Sequence, residues 1–302
     1  MNKICKIKFG SFLYGTDTPN SDLDIKGIFL PDIKELITQK AISYDIKLTS
    51  PNSKNSKEDI DEEYFSIQRF LKLAIEGQTV ALDMLHVNDK NILETSEIFE
   101  QLRSLKRKFY TKNLNAFVKY TINQANKYSL KGARLSNIQN AIEILESLDD
   151  NAVIEQYKDS FTGEYISKDD KFLSICSKKF EWNLKAKYVK DILYNYYNKY
   201  GSRTKEAKDN DNVDFKALSH ALRVAYETRS IYINNDIIFP LPEADFIKKV
   251  KLGELDYKLV ADVLNELIDE IKILSGKSNL PLKCDENFWN EWLINLYLNN
   301  KA

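Results

Sequence analysis

The chain has 302 residues, 43% of them apolar and 29% charged, with 44 Lys and Arg against 45 Asp and Glu. A chain of that length and make-up is expected to form about two domains with their own cores, which excludes an intrinsically disordered protein and a histone-like polycation. Cys5, Cys176 and Cys284 are odd in number and far apart, so neither a disulfide framework nor a zinc pair is expected. The opening stretch MNKICKIKFGSF lacks the apolar run and small-residue cleavage site of a secretory signal, and no segment approaches the ~18 apolar residues of a membrane span. A cytoplasmic protein is expected, with nothing to fix its oligomeric state.

Only 9 Gly and 6 Pro punctuate the chain, so long helices should dominate part of it. The early part reads as mixed. Residues 5–9 alternate as a half-buried strand does, residues 25–30 form a short apolar run closed by Pro31, and a third strand is expected over 60–65. A polar stretch, 49–59, reads as a linker. Ser66 stands at a helix N-cap position ahead of Ile67, Phe70, Leu71, Ala74 and Ile75, which recur at helical spacing and stop at Gly77. From Ile98 the pattern is helical, with breaks expected at Gly132, across 149–164, at Gly201, across 209–214 and at Phe239-Pro240-Leu241-Pro242. The fold class is therefore α+β, with a mixed sheet and helices over 1–95 and a helical domain over 96–302 that closes a cleft.

Overall neutrality hides a local asymmetry. Between Gln101 and Ile142 stand nine basic residues, Arg103, Lys106, Arg107, Lys108, Lys112, Lys119, Lys127, Lys131 and Arg134, and no acidic one. A one-sided field of this kind suits an anionic partner, a nucleic acid or a triphosphate, although a solvated basic face would look the same.

The stretch from Gly10 to Gly27 carries the chemistry. Gly10 and Ser11 directly follow a strand and let the backbone turn so that N–H groups and a hydroxyl can cradle phosphate oxygens. Asp22 and Asp24 follow at the i, i+2 spacing that places two carboxylates on one face of a strand. Such a pair repels itself unless a cation lies between, and Mg²⁺ takes oxygen ligands of this kind while bridging to substrate phosphates. A haloacid-dehalogenase phosphatase is excluded, because its pair follows an apolar strand directly, whereas Thr18-Pro19-Asn20-Ser21 precedes this one. A metal-dependent glycosyltransferase would leave the Gly10-Ser11 turn without a role.

The pattern Gly10-Ser11-x-x-Tyr14-Gly15-x-x-Thr18-Pro19-x-Ser21-Asp22-x-Asp24-x-Lys26-Gly27 resembles the DNA polymerase beta-like nucleotidyltransferases, and within them a bacterial and phage subgroup associated with RNA repair. The resemblance continues through residues 70–74 and 77–85, Gly201 and Arg203, residues 214–223, Phe239-Pro240-Leu241 and Gly253-Glu254. Gln78, Thr79 and Asp83 depart from the subgroup, which more often has Asn, Pro and Glu there. The resemblance implies a polymerase beta-like catalytic domain and transfer of a nucleoside monophosphate from an NTP to a hydroxyl, with release of pyrophosphate. It implies two Mg²⁺ ions, or Mn²⁺, held by Asp22, Asp24 and a third carboxylate on a neighbouring strand. Asp61 is the first choice for that third ligand and Glu63, two residues on, shares its strand face. It also implies nucleotide binding by Gly10, Ser11 and Ser21. The acceptor is left open among an RNA end, a protein and a small molecule, and a non-catalytic NTP- or RNA-binding module is the alternative.

Lys216, His220 and Arg223 stand at i, i+4 and i+7, so one helix face should offer three donors to the triphosphate or to an acceptor phosphate. His86 reads as structural. Tyr188, Tyr194, Tyr196, Tyr197 and Tyr200 are interleaved with lysines, a mixture that stacking platforms for single-stranded nucleic acid share with ordinary helix packing.

Overall fold

The computed structural model describes residues 2–19, 21–38, 43–48, 60–176, 178–198 and 213–299. The polar stretch 49–59, Gly201, Arg203 and most of 209–214 lie outside them. The chain divides into two compact units, 1–121 with 219–302, and 122–218.

The first unit is built on strands β1 (Asn2–Lys8), β2 (Leu23–Leu30), β3 (Ser43–Leu48), β4 (Ile60–Ser66) and β5 (Ile92–Glu94), in the order β3-β4-β2-β1-β5. The sheet is mixed: β2 and β4 run parallel and the other neighbours antiparallel. Ile4, Cys5, Ile7, Ile25, Ile28 and Phe29 bury the centre of the sheet. A single helical turn, α1 (Ser11–Tyr14), joins β1 to β2, and α2 (Ile33–Ile37) follows β2. Helix α3 (Ile67–Ile75) starts where its cap predicts, for the Ser66 hydroxyl accepts the Arg69 backbone N–H at 3.2 Å. It buries Ile67, Phe70, Leu71, Leu73 and Ala74 and ends at Gly77, whose φ of 71° few other residues would take. Helices α4 (Thr79–Leu85) and α5 (Glu97–Ser104) complete the first part of this unit.

The second unit contains most of α6 (Asn115–Glu146), which runs straight through Gly132, so the break expected there does not occur. It also holds a three-stranded meander absent from the sequence expectations: β6 (Ile166–Lys168), β7 (Phe172–Ile175) and β8 (Lys178–Glu181), all antiparallel. Helix α7 (Ala186–Asn198) follows. Leu145, Phe161, Leu173, Ile175, Phe180, Trp182 and Val189 lie in one core that this unit encloses by itself.

Helix α8 (Phe215–Asn234) leads from the second unit back to the first. There α9 (Ala244–Lys251), α10 (Tyr257–Lys277) and α11 (Glu286–Asn299) complete the packing. Trp289 of α11 stacks on Phe109 with ring centres 4.0 Å apart, and both are fully buried. All three cysteine thiols are buried and none is bonded to another. Among the described residues no helix is long and apolar enough to cross a membrane.

Candidate active site

Gly10 leaves β1 with φ 64° and ψ −142°, a conformation that disfavours any residue with a Cβ. A Cβ there would also lie 2.1 Å from Asp24 Oδ2, so the carboxylate would have to move aside. The turn is thus folded directly against one of the two aspartates. The Gly10 carbonyl then accepts the N–H groups of Leu13 and Tyr14, at 3.1 and 3.2 Å, which winds α1. Gly15 ends that turn with φ 76°, and a Cβ on it would meet Pro240 Cβ at 2.7 Å. Here the Phe239-Pro240-Leu241 segment finds its place: Phe239 packs edge-on to Tyr14, and the Leu241 N–H donates to the Tyr14 carbonyl at 3.4 Å.

The return into β2 is a tight turn. The Ser21 N–H donates to the Thr18 carbonyl at 3.0 Å, and the Ser21 hydroxyl accepts the Thr18 N–H at 2.8 Å. Ser21 therefore orders the approach to Asp22, which is exposed one residue before β2 begins. The Asp24 carbonyl accepts the Phe9 N–H at 2.8 Å, which fastens the end of β1 beside the carboxylates.

Parallel pairing of β2 with β4 sets Asp24 opposite Asp61 and Lys26 opposite Glu63. Residues in register on adjacent strands share a face, so Asp24, Lys26, Asp61 and Glu63 lie on one side of the sheet. Their environments differ. Glu63 forms a close ion pair with Lys26, whereas Asp61 is exposed at the same level as Asp24. Glu62, on the other face, pairs with Lys6 at 2.9 Å and accepts the Tyr64 hydroxyl at 2.9 Å. Asp22, Asp24 and Asp61 together offer the hard oxygen donors that a divalent ion of the magnesium class takes, and this chemistry fits such an ion. Among the described residues no three Asp, Glu, His or Cys side chains are already gathered into a metal-holding cluster.

Residues 4–141 match the model of the RNA repair pathway DNA polymerase beta family. Over 330 aligned positions, covering 99% of this chain and 98% of the relative, the sequence is 31% identical to an uncharacterized 38.9 kDa protein in the nrdC-mobD intergenic region of Enterobacteria phage T4. The chain belongs to the RNA repair pathway DNA polymerase beta family. A solved nucleotidyltransferase-like protein from Exiguobacterium sibiricum aligns with 91% of this chain and 69% of its own, at 8% identity and a TM-score of 0.25.

The family's carboxyl-half residues are placed unequally. Lys216 and His220 are exposed on α8, whereas Arg223 is only 7% exposed, so the three do not form one solvent-facing row of donors. Arg223 donates through one guanidinium nitrogen to Asp83 Oδ2 and to Glu227 Oε1, each at 2.7 Å, and its guanidinium lies 4.1 Å from the centre of the Tyr14 ring. The Tyr14 hydroxyl donates to the same Asp83 oxygen at 2.8 Å. Reasoning from the sequence did not find this cluster. Its signals were the Tyr14 position and the departure at Asp83, neither of which reads as a buried ion without the fold.

His86 caps α4 and is buried. Its Nδ1 lies 2.7 Å from the Leu82 carbonyl and its Nε2 2.6 Å from the Tyr110 hydroxyl. Burial lowers its pKa to about 4, helped by the nearby Lys106 and Arg103 cations against the opposing pull of the Leu82 carbonyl and Asp236. The basic run beginning at Arg103 is partly consumed in packing: Arg103 pairs with Glu100, Lys106 with Asp236, and Lys108 lies over the Phe288 ring. In the second unit Tyr188 is exposed, Tyr196 lies beneath Lys178, and Tyr197 donates to Gln139 at 3.3 Å; Tyr200 lies outside the described residues.

Proposed function

We propose that this protein is a metal-dependent nucleotidyltransferase that moves a nucleoside monophosphate from an NTP to the hydroxyl of an RNA end and releases pyrophosphate. The single observation that carries the reading is the union of the Gly10 turn with the carboxylates: the positive φ of Gly10 favours glycine, the Asp24 carboxylate lies against it, and Asp61 is in register with Asp24. In this reading Asp22, Asp24 and Asp61 hold two Mg²⁺ or Mn²⁺ ions. When bound, the ions supply neutralisation of phosphate charge and acidification of the attacking hydroxyl. The chain's own part is positional. The Gly10-Ser11 backbone and the Ser11 hydroxyl grip the outer phosphates, the Thr18–Ser21 turn holds Asp22 at the strand entrance, and the Lys26–Glu63 pair keeps Glu63 from competing for metal. Lys216 and His220 are exposed on α8, while Arg223 is buried behind the turn.

The test offers each of four α-labelled NTPs with Mg²⁺ or Mn²⁺ to bulk tRNA, total RNA and cell protein in parallel. Label should appear on RNA, with an equal yield of pyrophosphate, and should vanish in Asp22→Asn and Asp24→Asn while both variants stay folded. Removing one of two repelling carboxylates need not cost stability, so loss of transfer without unfolding is the expected signature. Label on protein alone would replace RNA as the acceptor, and unchanged turnover in either variant would overturn the mechanism.

A further inference from the structure

Directly behind the Gly10 turn, four ionisable side chains meet away from water: Tyr14 at the end of α1, Asp83 on α4, and Arg223 and Glu227 on α8, none more than 8% exposed. Asp83 Oδ2 receives two donors, the Tyr14 hydroxyl and Arg223, and Glu227 Oε1 receives one, the same Arg223 nitrogen. The other oxygens of the two acids, Asp83 Oδ1 and Glu227 Oε2, are buried with no donor from any other residue. With both acids ionised the cluster would hold one cation against two anions and two starved acceptors, each costly in a dry interior. A single proton removes both problems. The two carboxyls lie within hydrogen-bonding reach of each other, and a protonated acid turns one acceptor into a donor for the other. The proton belongs on Glu227, because two donors stabilise the charge on Asp83 and only one reaches Glu227.

We propose that Glu227 is protonated in the folded protein and donates from Oε2 to Asp83 Oδ1, and that the resulting neutral cluster positions Tyr14 and, through it, the Gly10-Ser11 turn. The positioning half of this proposal rests on the nucleotidyltransferase reading above; the shared proton does not. Burial first, and then the Asp83 charge, push the Glu227 carboxyl well above its ordinary range against the opposing pull of the Arg223 cation. A group raised in the fold stabilises it fully below its unfolded pKa and loses that contribution as pH rises through the folded value. The groups facing Glu227 are Arg223 on its own helix and Asp83 from α4, with Tyr14 of α1 on the far side of both.

Three measurements on the full chain test it. The infrared spectrum at neutral pH should contain a protonated carboxylic acid C=O band that Glu227→Gln removes. Hydrogen exchange at the amides of residues 11–16 should be about tenfold faster or more in Glu227→Ala. Glu227→Gln should restore slow exchange, since its amide N–H donates to Asp83 in place of the proton. The NTP KM should follow the same order, raised by Ala and recovered by Gln. If Glu227→Ala does not fold, the infrared band and the Gln variant still decide. Absence of the acid band, its survival in Glu227→Gln, or a Gln variant as impaired as Ala would overturn the proposal. A wild-type protein without NTP turnover would instead overturn the functional reading, leaving the band and exchange results to judge the proton.

Discussion

At the scale of single residues, the candidate site depends on a glycine whose replacement strains the backbone and displaces a carboxylate. Gly10→Ala has to take a left-handed backbone, at about 1–2 kcal/mol, and must also push the Asp24 carboxylate away from a Cβ that would sit 2.1 Å from its Oδ2. The expected result is a lower urea midpoint, by about 2 kcal/mol or more in unfolding free energy, together with loss of transfer. A Gly10→Ala variant as stable and active as the parent would show that the turn does not depend on this contact. The two candidates for the third carboxylate separate at the same scale. Asp61→Asn should abolish label transfer, whereas Glu63→Gln should leave most of it, because Glu63 is already neutralised by Lys26. The opposite ranking in steady-state rates would move the third ligand to Glu63. Asp22, Asp24 and the glycine turn were legible in the sequence because their chemistry is local, a fixed spacing on one short stretch. The different settings of Asp61 and Glu63 were not, since they turn on which strand lies beside which and on what Lys26 faces.

At the scale of elements, α4 shows how a short helix is held by groups that must avoid or share charge. Its interior residue Asp83 is buried against Arg223, and its cap His86 is buried against Tyr110 and the Leu82 carbonyl. His86 has a folded pKa of about 4 against an ordinary value of 6.5, so it is neutral in the fold at pH 7. Between pH 6.5 and 4 the unfolded chain takes up a proton that the folded chain refuses. Stability from this residue is therefore present above pH 6.5 and falls as the pH drops towards 4, by about 3 kcal/mol at most. Urea unfolding of the parent and of His86→Gln at pH 7.5, 6 and 5 isolates the contribution of His86 with its neighbour Asp236, since the more distant carboxylates act on both proteins alike. The gap between the two should narrow on acidification, and parallel pH curves would exclude a buried neutral imidazole. Legibility at this scale followed length. Helix α3 announced itself by its serine cap, its apolar spacing and its terminal glycine. Strand β5 has three residues and β6 to β8 have three or four each, too few for alternation to stand out from a helical pattern. Gly132 misled in the other direction, for one glycine within a 32-residue helix costs only about 1 kcal/mol relative to alanine and need not end it.

For the whole molecule, the first unit is made from both ends of the chain. That return has no local signature in the sequence, because the buried residues of α8 to α11 look like those of any helical segment until their partners are known. The partners are specific. Trp289 covers Phe109, the Phe239–Leu241 segment covers Tyr14 and Gly15, the Lys112 N–H donates to the Pro281 carbonyl at 2.9 Å, and Tyr297 accepts from Gln68 at 2.8 Å. A fragment ending at residue 121 keeps Gly10, Ser11, Asp22, Asp24, Asp61 and the whole five-stranded sheet. It loses the lid on Phe109, and it leaves the Asp83 carboxylate buried or flooded without Arg223. Breaking one partner from a buried ion pair costs about 3–5 kcal/mol, a large share of the 5–15 kcal/mol that holds an ordinary domain together. Fragment 1–121 should therefore bind the hydrophobic dye ANS, lack the near-ultraviolet circular dichroism of packed aromatics and show no label transfer, although every proposed metal ligand is present. Supplying 219–302 as a separate chain should restore part of the near-ultraviolet signal, since the contacts named above all come from that segment. A fragment 1–121 that is natively packed on its own would mean that the carboxyl-terminal helices serve the acceptor rather than the integrity of the site.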